Sequence, residues 1–130
     1  MYDIAIIGGG PAGLAAGLYG ARGGMDTVLL ENMLVGGQIT KTTQVDNYPG
    51  FPDGIDGFTI GTNMQKQAEH FGLEIKRTGV DSVELEGEIK RLYCGREVIE
   101  AKAVIIATGA HPKKLGLDRE EKLTGAGVSY

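Results

Sequence analysis

The chain has 130 residues, with 17 Asp and Glu against 13 Lys and Arg, a formal charge of −4 and a pI near 5.1, which leaves room for one domain. No basic run exceeds two residues and no apolar run approaches the roughly 20 that a membrane span needs, which argues against nucleic-acid and membrane partners. Met1-Tyr2-Asp3-Ile4 carries no basic segment of the kind that opens a secretory signal, and the single Cys94 fits a reducing, cytoplasmic setting. Glycine is the outlier: 22 residues, about 17%, where about 7% is usual. With 42% hydrophobic residues and no collagen spacing, these glycines belong to a folded domain. They mark places where backbone turns sharply or touches something closely.

Tyr2–Ile7 reads as a buried strand bounded by three glycines, and Pro11 sits where the first turn of a helix tolerates it. Ala12–Arg22 is helix-favouring, with Gly13, Gly17, Gly20 and Gly24 on one face, a bare surface suited to close packing. Thr27–Glu31 reads as a second, parallel strand, so residues 2–31 form a βαβ unit with a right-handed crossover. Residues 32–56 read as a long loop without regular structure, punctuated by Gly36-Gly37, Pro49-Gly50 and Pro52-Asp53-Gly54. A helix is expected over 57–71, with Asp56 as its N-cap, Gly72 as its stop and a core stripe of Ile60, Met64, Ala68 and Phe71. Four short segments within 73–102 (Leu73–Lys76, Val80–Leu85, Ile89–Tyr93 and Glu97–Glu100) read as an antiparallel meander. Residues 103–107 return to a buried, parallel type of strand, and 110–130 form a tail with no clear element. The expected architecture is α/β, a doubly wound parallel sheet of Rossmann-like type with an inserted antiparallel β-meander.

Three signals carry chemistry. Gly8-Gly9-Gly10-Pro11-Ala12-Gly13 matches G-x-G-x-x-G after a strand and before a helix. There Gly8 permits the turn, Gly10 lets a pyrophosphate approach, and Gly13 allows close helix–strand packing, with the helix N-terminus offering unpaired N–H groups. The alternative is a tight turn that binds nothing. Glu31, 18 residues beyond Gly13, stands where such units place the acid that accepts hydrogen bonds from adenosine ribose hydroxyls. A carboxylate there would repel a 2′-phosphate, favouring NAD or FAD over NADP at this site. The long loop then favours FAD over NAD, because a nicotinamide dehydrogenase would continue with helix and strand soon after Glu31, whereas Gln38, Asn47 and the loop's backbone amides could hydrogen-bond a flavin ring edge. Each piece taken alone also reads as a glycine turn in a surface loop.

Together, Gly8–Gly13 with Glu31, Gly-Gly-Gln-Ile-Thr at 36–40, Val-Asp-Asn-Tyr-Pro-Gly-Phe at 45–51 and Val-Ile-Ile-Ala-Thr-Gly-Ala at 104–110 resemble the low-molecular-weight thioredoxin reductases, over the whole chain. The resemblance implies FAD lying across Gly8, Gly10, Pro11, Ala12 and Gly13 with its pyrophosphate, and on Glu31 with its ribose. It implies Gly36, Gly37, Gln38, Ile39, Thr42, Val45 and Asn47 on the flavin side, Val80 near the adenine, and Ala107, Thr108 and Gly109 beside the cofactor. It further implies electron flow from NADPH through FAD and a dithiol to thioredoxin, in a homodimer.

The departures define what to expect of this chain alone. In that family Gly-Val-Ser-Tyr, here 127–130, leads into a redox Cys-x-x-Cys, and neither the dithiol nor the NADPH-binding motif lies within residues 1–130. The chain thus reads as an incomplete FAD-binding domain with no catalytic side chain of its own, and apolar surface is expected to be left exposed. Cys94 reads as a structural thiol, while His70 and His111 are too far apart to begin a metal site. Two alternatives stay open: part of a thioredoxin-reductase-type ferredoxin–NADP reductase, or a non-catalytic module binding FAD or another adenine dinucleotide.

Overall fold

The computed structural model describes residues 1–130. The Ile-rich segment Tyr2–Ile7 is β1, the parallel hinge of the molecule: it pairs with β2 (Thr27–Leu30) on one side and with β6 (Glu97–Ile106) on the other. Helix α1 (Pro11–Arg22) makes the first crossover and α2 (Gly57–His70) the second, returning the chain to β3 (Glu74–Lys76), which lies parallel to β2. Antiparallel β4 (Ser82–Glu84) and β5 (Lys90–Cys94) complete one sheet in the order β3-β2-β1-β6-β5-β4.

Alternation along β1 and β2 divides the core between the two faces of the sheet. Ile6 and Leu29 face the helices with Leu14, Ala68 and Leu73, while Ala5, Val28 and Leu30 face Leu92, Cys94, Ile99 and Ala101 of the meander. Each fully buried Leu or Ile there contributes about 1.5–3 kcal/mol. The glycine face of α1 is explained by contact: a Cβ on Gly17 would press on Leu73, and one on Gly20 would press on Thr27. Helix α2 starts where Asp56 accepts the Thr59 N–H at 2.8 Å. Hydrogen bonding from Thr59, its side chain first and then its backbone, holds the Asp56 carboxyl below its usual range.

Several expectations need correction. The loop over 32–56 is not without regular structure: Gly37–Lys41 winds into a 3₁₀ turn, and Val45 bridges Ile55. Leu73–Lys76 is no part of the antiparallel meander, because Gly72 (φ +96°) ends α2 and turns the chain back alongside β2. Glu97–Glu100 and Ala103–Ala107 belong to one strand, not two. Ala101 pairs with Lys90 on one side and Tyr2 on the other, so β6 passes from the meander into the parallel sheet without a break. Beyond Ala101 its outer edge has no neighbouring strand, which leaves Ile105 and Ile106 exposed where burial was expected. Gly24 lies past the end of α1 with open space around it, and Phe71 is exposed rather than part of the stripe of α2. The tail carries a short helix, α3 (Glu120–Leu123), and a Thr124–Val128 bridge. No helix is long and apolar enough to cross a membrane.

A glycine cradle at the carboxyl ends of the strands

Where β1 ends, Gly8 takes φ +106°, a conformation costly to any residue with a Cβ, and its N–H donates to the Leu30 carbonyl at 2.9 Å. A Cβ at Gly8 would run into the Ala107 carbonyl, and one at Gly13 would run into the carbonyl of Gly8 itself. The turn is therefore closed backbone against backbone, with α1 opening immediately at Pro11. Leu14 donates to the Gly10 carbonyl at 2.9 Å, but the amides of Gly10, Ala12 and Gly13 donate to no protein acceptor. These free donors, with the positive end of the helix dipole behind them, form a concavity suited to an anion.

Glu31 follows the last residue of β2 and faces this turn. One carboxylate oxygen accepts the Gly9 N–H at 2.8 Å, and the other accepts the Met33 N–H at 2.8 Å. Its own N–H donates to the Lys76 carbonyl at 3.1 Å, so strand pairing sets the side chain's origin and two amides set its direction. The half-buried carboxylate retains lone pairs for further donors, such as a vicinal diol.

The second glycine pair docks onto the first. Gly36 donates to the Gly9 carbonyl at 2.7 Å, and a Cβ on Gly37 would lie 2.7 Å from the Gly10 Cα. Behind them Gly61 of α2 lies close enough to Gly36 that a Cβ would come within 3.2 Å of its Cα. Gly57 donates to the Thr42 carbonyl at 2.9 Å, and Ile39 lies over Gly57. Sequence reasoning passed over Gly9, Gly57 and Gly61, although two glycines four apart inside a helix are themselves a sign of close backbone approach.

The structure thus gathers Gly8, Gly10, Pro11, Ala12, Gly13, Glu31, Gly36, Gly37 and Ala107 at one end of the sheet. Thr108 adjoins Gly8, and Gln38 reaches across to donate to the Ala110 carbonyl. Gly109 is exposed beside them. Val45 is buried and bonded to Ile55 through both backbone groups. Asn47 stands apart, on an exposed hollow lined by 46–52, and Val80 packs against the meander core rather than on the glycines. A surface hollow lined by Met1, Tyr2, Lys76 and 97–100 shares no residue with the cradle. Cys94 is buried on the far face of the sheet; burial first, then Glu97 and Asp81, push its thiol up, away from the reactive thiolate.

The family model described as pyridine nucleotide-disulphide oxidoreductase matches residues 2–130. A thioredoxin reductase of Peptoclostridium litorale is 52% identical over 130 residues, all of this chain and 41% of that protein. The crystal structure of Lactococcus lactis thioredoxin reductase in its FR conformation superposes with a TM-score of 0.89 at 39% identity, over 100% of this chain and 43% of that one. A ferredoxin-flavin thioredoxin reductase of Clostridium acetobutylicum gives 0.79 at 31% identity, over 95% and 42%. This chain therefore spans about two fifths of the length of the relatives it matches. On the match across residues 2–130 and the cradle those residues build, the chain belongs to the pyridine nucleotide-disulphide oxidoreductase family.

Proposed function

We propose that this chain is the FAD-binding N-terminal part of a thioredoxin-reductase-type flavoenzyme, an incomplete FAD domain that is not catalytic alone. The observation that carries the reading is the set of free amides at Gly10, Ala12 and Gly13 beside an oriented Glu31. These donors suit a pyrophosphate, and the carboxylate suits the adenosine ribose diol. Bound FAD would supply the redox chemistry; the protein supplies binding, orientation and electrostatics. In this reading Gly8, Pro11 and Gly13 keep the turn tight, while Gly36, Gly37, Gln38, Ile39, Thr42, Val45 and Asn47 line the flavin side. Val80 lies toward the adenine, and Ala107, Thr108 and Gly109 close the groove.

For the parent enzyme the reading carries NADPH as donor and thioredoxin as acceptor, supported by the thioredoxin reductases the chain is similar to, and with them a homodimer and a cytoplasmic setting as part of the same proposal. A second reading, in which ferredoxin delivers the electrons, is favoured by the likeness to the ferredoxin-flavin enzyme. Titrating the purified chain with FAD and separately with NAD tests the binding claim. FAD is expected to co-elute with the protein and show a flavin spectrum; NAD uptake without FAD uptake overturns the flavin reading. For the parent enzyme, steady-state turnover with NADPH or with reduced ferredoxin decides the donor.

A further inference from the structure

Glu120 is the only charged side chain the fold buries, at 5% exposure, and the cradle makes no use of it. Its carboxylate accepts the N–H groups of Leu115 and Gly116 at 2.8 Å each and of Leu117 at 3.3 Å, together with the hydroxyl of Tyr130. Its backbone carbonyl accepts the Thr124 hydroxyl at 2.9 Å. The donors thus come from the two ends of one segment, fifteen residues apart, and meet on a single ionised group. Arg119, the only non-glycine residue with positive φ (69°), turns the chain so that Glu120 faces back toward Leu115. Within the same segment Val128 donates to the Leu123 carbonyl at 2.9 Å and Gly125 to the Val128 carbonyl at 2.8 Å. No hydrogen bond joins residues 111–130 to residues 1–110, so this unit is closed on Glu120 and not on the sheet.

We propose that Glu120 is a positioning residue: by gathering the 115–117 amides and the Tyr130 hydroxyl, it fixes Tyr130 relative to the start of the segment. The reason is the strength of charge-assisted bonds to a carboxylate held out of water, several of which no neutral side chain of that size reproduces. Resting on the function proposed above, and on the resemblance in which Gly-Val-Ser-Tyr leads into a dithiol, the same contact would set where that dithiol begins.

Limited trypsin digestion of the full 130-residue chain tests this, with cleavage after Lys113 as the internal reference and cleavage after Lys122 as the report. E120A is expected to raise the Lys122-to-Lys113 ratio about tenfold or more, E120Q less, and Y130F least, since one donor is lost in place of the whole acceptor. Equal ratios in wild type, E120A and Y130F overturn the proposal. In the FAD-loaded parent, E120Q is expected to lower kcat for thioredoxin reduction about tenfold through misplacement of the dithiol. An unchanged kcat alongside a loosened segment overturns the positioning role and leaves a structural one. Failure of FAD uptake overturns the function reading but leaves the cleavage ratio untouched, so the two are told apart.

Discussion

The glycines around the cradle and those around the rest of the molecule are the same residue for opposite reasons. At Gly8, Gly13 and Gly37 the space for a Cβ is taken by backbone, so substitution meets an atom that cannot rotate away. At Gly24, Gly50, Gly72, Gly87 and Gly95 nothing lies within 4 Å of where a Cβ would stand, and only the backbone angle asks for glycine. Gly17 and Gly20 are intermediate, facing side chains that can yield. The first class builds the cradle; the second only lets the chain turn. Glycine content by itself therefore says little about a binding site until each residue's neighbour is known.

The sharpest way to break this distinction is Gly13→Ala, which drives a methyl group into the Gly8 carbonyl. It is expected to cost about 3 kcal/mol or more, or to prevent folding, as read by chemical denaturation. Gly17→Ala, with only the Leu73 side chain in the way and a gain in helix propensity of about 1 kcal/mol, is expected to change stability far less. Equal losses at the two sites would remove the distinction between backbone and side-chain crowding. Next in size, Glu31→Ala removes the acceptor for Gly9 and Met33 and, in the proposed function, for the ribose. FAD affinity is expected to fall about 10- to 100-fold by titration, with the fold intact by circular dichroism.

Smaller again, Gly24→Ala tests the open class: about 1 kcal/mol of strain from the φ of +80° and no effect on cofactor uptake. The smallest effect concerns pH. The carboxyls of Asp56 and Glu120 are held below their usual range by hydrogen bonds, from the Thr59 side chain and then its backbone at Asp56 and from the Leu115 N–H first at Glu120, so folding favours their charged forms. Their contribution is fully present above the ordinary carboxylate range and is lost as pH falls through the lowered folded values. Stability is thus expected to be flat from neutral pH to about 5 and to decline in acid, less steeply in D56N than in wild type.

The βαβ unit, α2 with its Asp56 cap, and the meeting of Gly8–Gly13 with Glu31 were all legible in the sequence. Each is signalled by neighbours close along the chain, through a turn motif, a cap or a period. What escaped was set by long-range pairing. Nothing local tells Leu73–Lys76 to join β2 rather than the meander, because a three-residue strand takes its direction from the helix before it. Glu97–Glu100 and Ala103–Ala107 look like separate strands because one half packs in the meander and the other against β1, changing the hydrophobic pattern within a single strand. Glu120 gave no sign either, since its donors are backbone amides and a tyrosine ten residues on.

The pairing of Tyr2 with Ala101 also orders events during synthesis. β1 gains its second neighbour, and Gly8 its contact with Ala107, only after some hundred further residues have been made. Contacts of such separation form slowly and late. On the ribosome, the glycine turn is therefore translated among the first residues and finished only about a hundred residues later, and the nascent chain cannot complete its groove until β6 has emerged.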